Sequence, residues 1–91
     1  MALYRVVVLA PAYEGWKDIR DERERDAVED ALAKLHDHPD EPDPYPAKER
    51  KDGWEMRVGR WKVTYEIRRI ELAVFVHTIK ESPSWKFDYR Y

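Results

Sequence analysis

The sequence predicts an α+β domain in which a helical N-terminal half lies against a C-terminal antiparallel sheet. Between Ala12 and about His38 the apolar residues recur with helical period. Val28, Ala31, Leu32 and Leu35 fall at i, i+3, i+4 and i+7 and draw one stripe. From Trp54 the period changes to two. Trp54, Met56 and Val58 alternate with Glu55, Arg57 and Gly59, then Trp61, Val63, Tyr65 and Ile67 alternate with Lys62, Thr64 and Glu66. At 91 residues there is room for one domain, residues 1–91, and one modest core.

Along the chain, Leu3 to Leu9 is short, rich in valine and bounded by Pro11, which reads as a strand. Its continuous apolar character predicts burial on both faces, inside the sheet or beneath helices. Pro11 suits the first turn of a helix. Tyr13, Trp16 and Ile19 form a short stripe, and Gly15 with the polar run Arg20 to Asp26 divides the helical region in two. Asp18 or Asp21 can cap the second, longer helix, with acidic residues in its first turn and His36 near its negative pole. Pro39 stops it. Pro39 to Pro46 holds four of the six prolines and is expected to be a stiff, extended surface connector. Three strands joined by short turns then form a meander, the last drawn from the run Glu71 to Ile79. One face should be apolar and helix-covered, and the other should show Arg57 beside Lys62.

Composition narrows the function classes. Charged residues make up 40% of the chain, and twelve aromatics (four Trp, six Tyr, two Phe) supplement a thin aliphatic core. Cysteine is absent, which excludes disulfides and thiolate zinc sites. No apolar run approaches membrane-spanning length and no signal-peptide pattern opens the chain, so a cytoplasmic location is expected. The net charge of −2 conceals a division: residues 1–44 carry 6 basic against 12 acidic side chains, and residues 45–91 carry 11 against 7. A basic C-terminal face can meet phosphate even though the whole chain is acidic. His36 and His38, at i, i+2, diverge on a helix and lack a third ligand, so no metal and no cofactor are expected. His77 alternates with Phe75 and Ile79 and is expected half-buried or buried on the helix-covered face.

The stretch Trp54-Glu-Met-Arg-Val-Gly-Arg-Trp-Lys-Val-Thr-Tyr-Glu-Ile67, followed by Leu72-Ala-Val-Phe-Val-His-Thr-Ile79, resembles the RelE/ParE superfamily of toxin–antitoxin toxins. The pattern shared is an aromatic-x-apolar-Arg-Val-Gly-x-aromatic-basic-Val-x-Tyr hairpin and then an apolar strand. The resemblance implies a β-α-α-β-β-β fold over nearly the whole chain. It also implies a toxin held by a cognate antitoxin, most typically a ribosome-dependent mRNA endoribonuclease that works by 2′-hydroxyl attack without metal. The ParE branch shares the scaffold and poisons DNA gyrase instead, and a weakened member could act only as an antitoxin-binding module.

Carried over by position, Arg57 and Lys62 match the family's basic residues on the two hairpin strands. Arg57 would stabilise phosphate charge. A lysine is ordinarily protonated at neutral pH, so Lys62 as a base would need a neighbouring cation or desolvation. Lys80 is the nearest basic residue after the last strand, where the family commonly has Gly-His-Arg or Gly-Lys-Arg; here Ser82 occupies the arginine position. Tyr89 and Tyr91 offer a proton donor or a stacking surface for a base. Lys48, Arg50 and Arg60 complete the expected RNA contacts. Glu55 stands where some family ribonucleases carry a second basic residue. Trp16, Trp85 and Tyr89 are candidate anchors for the antitoxin.

Overall fold

Asp21 starts the longer helix: its carboxylate accepts the backbone N–H of Arg23 at 2.8 Å and of Glu24 at 3.4 Å. Two donors that the first turn leaves unpaired are thereby satisfied. Glu22 and Glu24 add negative charge at that pole, and Lys34 adds positive charge at the other. The structure is a computed structural model and describes residues 3–82. Its elements are β1 (Arg5–Val8), α1 (Ala10–Lys17), α2 (Glu22–Lys34), β2 (Ala47–Arg50), β3 (Gly53–Val58), β4 (Trp61–Arg68) and β5 (Ala73–Glu81). The sheet order is β1-β5-β4-β3-β2. β1 runs parallel to β5 and every other pairing is antiparallel.

The two periodicities meet in one core. Val28, Ala31 and Leu35 from the α2 region and Ala12 and Ile19 from the α1 region pack against Met56, Val58, Trp61, Val63, Tyr65, Val74, Val76 and Ile79. Each fully buried valine, leucine or isoleucine contributes about 1.5–3 kcal/mol. Tyr13, placed on the α1 stripe by its spacing, is half exposed. Gly15 explains how closely α1 sits: a Cβ there would stand 1.9 Å from the carbonyl oxygen of Ile79. Gly59, at φ +60°, opens the two-residue β3–β4 turn that the sequence led one to expect. Among the described residues no helix is long and apolar enough to cross a membrane.

Four expectations are corrected. β1 lies at the sheet's edge rather than in its interior, with Val8 at 40% exposure, because among the described residues its one strand neighbour is β5. An additional strand, β2, pairs with β3; its Ala-Lys-Glu-Arg sequence is charged, as suits an edge strand. The proline-rich segment is not merely a surface connector. Pro39 and Pro42 are fully buried, and the Tyr65 hydroxyl donates to the Pro39 carbonyl at 2.6 Å. Burial, with the charge of Asp40 adding to it, pushes the Tyr65 phenol up, so it stays a donor. Tyr65→Phe strands that carbonyl and should cost about 1–2 kcal/mol in a urea titration; an unchanged midpoint would contradict the assignment.

The fourth correction concerns His77. A bulge between Thr64 and Tyr65 pairs Thr64 with Thr78 but Tyr65 with Val76, leaving His77 as the extra residue on β5. Parity therefore inverts along the strand. Val74, Val76 and Ile79 face the core, while His77 is exposed and its Nε2–H donates to the Glu66 carboxylate at 3.3 Å.

Candidate functional site

Strand register decides which outward side chains become neighbours. Arg57 pairs with Lys62, and Lys62 pairs with Lys80. Three cations thus stand in one row across β3, β4 and β5, on the face opposite the helices. Facing residues on adjacent antiparallel strands lie about 4.5–5.5 Å apart at Cβ. Like charges so placed repel one another, and an anion bridging them would relieve that repulsion. Neither Lys62 nor Lys80 forms an ion pair with a described residue.

A second row lies one pleat away. Lys48 faces Glu55, Glu55 faces Thr64, and Thr64 faces Thr78, the two threonine hydroxyls meeting at 2.5 Å. The Glu55 carboxylate is 19% exposed and contacts Arg50 at 3.4 Å. Further along, Glu66 accepts from Arg68 and lies against His77, and these contacts, Arg68 first, hold its carboxyl below the usual range. The Arg68 guanidinium lies 4.4 Å over the Phe75 ring. Two shallow grooves cross this face. One is lined by Lys48, Arg50, Glu55 and Arg57, the other by Arg50, Trp54, Glu55, Thr64 and His77. Glu55 and Arg50 line both. Among the described residues no group of three or more potential His, Asp or Glu ligands could hold a metal ion.

The family model described as the ParE toxin of the type II toxin–antitoxin system parDE matches residues 6–85. This chain belongs to the ParE toxin family. It is thereby a toxin of a type II toxin–antitoxin system within the RelE/ParE superfamily. None of the curated proteins compared with it matches significantly. Among solved structures, the toxin is similar to an archaeal RelE–RelB complex from Pyrococcus horikoshii OT3. That likeness has a TM-score of 0.74 and 13% identity, covering 89% of this chain and 97% of the other. It is also similar to a toxin–antitoxin complex of the RelBE type from Mycobacterium tuberculosis (TM-score 0.69, 17% identity, 86% and 96% covered). A RelB–RelE complex from Methanococcus jannaschii gives a TM-score of 0.67 at 11% identity, with 93% and 99% covered. At such identities these likenesses establish the fold.

The residues expected to act on RNA divide in three. Arg57, Lys62 and Lys80 come together in the cation row, with Lys48 and Arg50 beside it on β2. Arg60 is engaged elsewhere. At the β3–β4 turn its guanidinium meets Glu24 of α2 at 3.0 Å and Glu81 of β5 at 3.3 Å, while the Trp61 indole donates to Glu24 at 3.2 Å. That arrangement ties the hairpin to both neighbours. Tyr89 and Tyr91 lie outside the described residues, as does Trp85, the candidate antitoxin anchor. Ser82 is buried at the end of β5, its N–H donating to the Arg60 carbonyl at 2.8 Å. The pairing of Glu55 with Arg50 was not legible beforehand, because β2 was not expected to exist.

Proposed function

We propose that this toxin is a RelE-like, ribosome-dependent mRNA endoribonuclease that halts translation and is restrained by a cognate antitoxin. The row Arg57–Lys62–Lys80 on three adjacent strands carries this reading. In-line attack of a 2′-hydroxyl on the neighbouring phosphate concentrates negative charge on the non-bridging oxygens. Three preorganised cations around one phosphate are suited to that charge. The ammonium groups of Lys62 and Lys80 can also supply a proton to the departing 5′-oxygen. Action on ribosome-bound mRNA would place the protein in the cytoplasm. The structural neighbours from three organisms are each complexes with RelB or of toxin with antitoxin, which supports an antitoxin partner. A segment ordered on binding, laid in a groove or added at a sheet edge, would fit such a partner.

The alternative reading is gyrase inhibition of the ParE kind, favoured by the ParE description of the matching family. Induced expression separates the two. The ribonuclease should arrest growth and leave transcripts cut within translated frames, with gyrase supercoiling in vitro unaffected. Arrest with intact messages and blocked supercoiling would replace the ribonuclease by the gyrase poison.

A further inference from the structure

The cation row supplies charge and a proton donor but not a proton acceptor. Arg57 is always protonated, and Lys62 and Lys80 can give the leaving group its proton only if they carry one. An acceptor for the 2′-hydroxyl proton must come from the same face. From the geometry we infer that Glu55 is that acceptor. This rests on the ribonuclease reading and assigns the departure from the family's basic pattern a function in catalysis.

Position is the first support. Glu55 stands two residues from Arg57 on the same face of β3, about 6.5–7 Å along the strand. It is one strand away from Thr64, which lies two residues beyond Lys62 on β4. The carboxylate therefore borders the row at its β3–β4 edge, where a ribose attached to a phosphate held by Arg57 and Lys62 would rest. Fixation is the second. Lys48 and Thr64 flank Glu55 on the neighbouring strands, Arg50 contacts one carboxylate oxygen, and the side chain is only 19% exposed. An ionised carboxylate is an acceptor with up to four lone-pair sites, so a single contact with Arg50 leaves capacity for a hydroxyl. Glu55 also lines both grooves, the one containing Arg57 and the one containing His77.

Among the described residues, two other acceptors on this face are less well placed. His77 stands three residues from Lys80 across the bulge, with its Nε2 on Glu66. Glu66 is four residues from Lys62 along β4 and is already engaged by Arg68 and His77.

The step balances without a co-reactant. The Glu55 carboxylate takes the 2′-hydroxyl proton as O2′ bonds to phosphorus. The P–O5′ bond breaks with its electron pair on oxygen, and that oxygen takes a proton from the Lys62 or Lys80 ammonium. The products are a 2′,3′-cyclic phosphate and a 5′-hydroxyl, and solvent returns the proton from Glu55 to the lysine.

The test is single-turnover cleavage of a defined mRNA on programmed ribosomes by wild type, Glu55→Gln and His77→Gln, each followed against pH. Glutamine keeps the shape and can still accept from Arg50. Glu55→Gln should cleave roughly 10²–10⁴-fold more slowly, lose the rise in rate with pH on the acid side, and retain wild-type ribosome binding. His77→Gln should keep both rate and acid limb. A Glu55→Gln rate within tenfold of wild type, or a loss of the acid limb in His77→Gln instead, overturns the assignment and leaves the ribonuclease reading standing. A wild type that cuts no ribosome-bound message overturns both.

Discussion

Gly15→Ala should lower the thermal midpoint by roughly 10–20 °C. Helix propensity alone points the other way, since alanine is favoured over glycine by about 1 kcal/mol within a helix. Steric exclusion decides the sign. The added Cβ would stand 1.9 Å from the Ile79 carbonyl oxygen and 2.9 Å from its carbon. Neither partner can yield cheaply, because Ile79 pairs with Val63 in the sheet and its side chain is buried in the core. The helix must lift from β5, uncovering Ala12 and Ile79, and overpacking of this kind costs about 3 kcal/mol or more. For a chain of this length each kcal/mol moves the midpoint by roughly 4–8 °C. Glu14→Ala is the control: that side chain is exposed, with only a surface ion pair to Lys17, and its loss should stay within about 0.5 kcal/mol. Circular dichroism melts of both variants measure the difference. A Gly15→Ala midpoint at or above wild type would mean that α1 does not seat on β5 as described. The same displacement would disturb the strand that presents Lys80, so activity should fall with stability.

Gly15 also shows where sequence reading loses information. From the sequence it was a weak point between two helical segments, because nothing local announces that a carbonyl from residue 79 passes beneath it. The meander was legible because alternation within β3 and β4 is a local signal, and the Gly59 turn is written in one residue. Helix α2 was legible through its stripe, and its cap was narrowed to Asp18 or Asp21, of which the structure uses Asp21. Its neighbour β2 was invisible: Lys48, Glu49 and Arg50 are poor strand formers in isolation and pair only because Gly53 returns the chain alongside β3. The error at His77 has the same origin. Strict alternation from Phe75 to Ile79 is broken by one inserted residue, and a bulge leaves no mark on a hydropathy pattern. In the candidate site, Arg57 and Lys62 were foreseen as neighbours because one hairpin carries both. Lys80 could be placed beside Lys62 only once the bulge had set the β4–β5 register. The role of Arg60 was missed because its partners, Glu24 and Glu81, lie 36 and 21 positions away.

Lys62→Ala should abolish most of the toxic activity while leaving the fold intact, a loss of roughly 10²–10³-fold in cleavage. The lysine occupies the middle of the row, with Arg57 on one side and Lys80 on the other, so its removal separates the remaining cations by two strand spacings. Neither survivor can then share a phosphate with the other as closely. Stability should barely change, because the side chain is partly exposed and has no ion pair with a described residue to lose; relief of like-charge crowding offsets the loss of its packing. That separation of effects is what distinguishes a functional lysine from a structural one. Lys62→Arg tests the type of charge: it restores the cation but with a planar fork and a shifted reach, so it should recover part of the rate and not all of it. Growth after induction, transcript integrity and thermal midpoint, read on the same preparations, provide the measurement. If Lys62→Ala arrests growth and cuts messages as wild type does, the row is not where phosphate is held. If instead it melts well below wild type, the lysine serves the sheet, and the chemistry must be sought on another face.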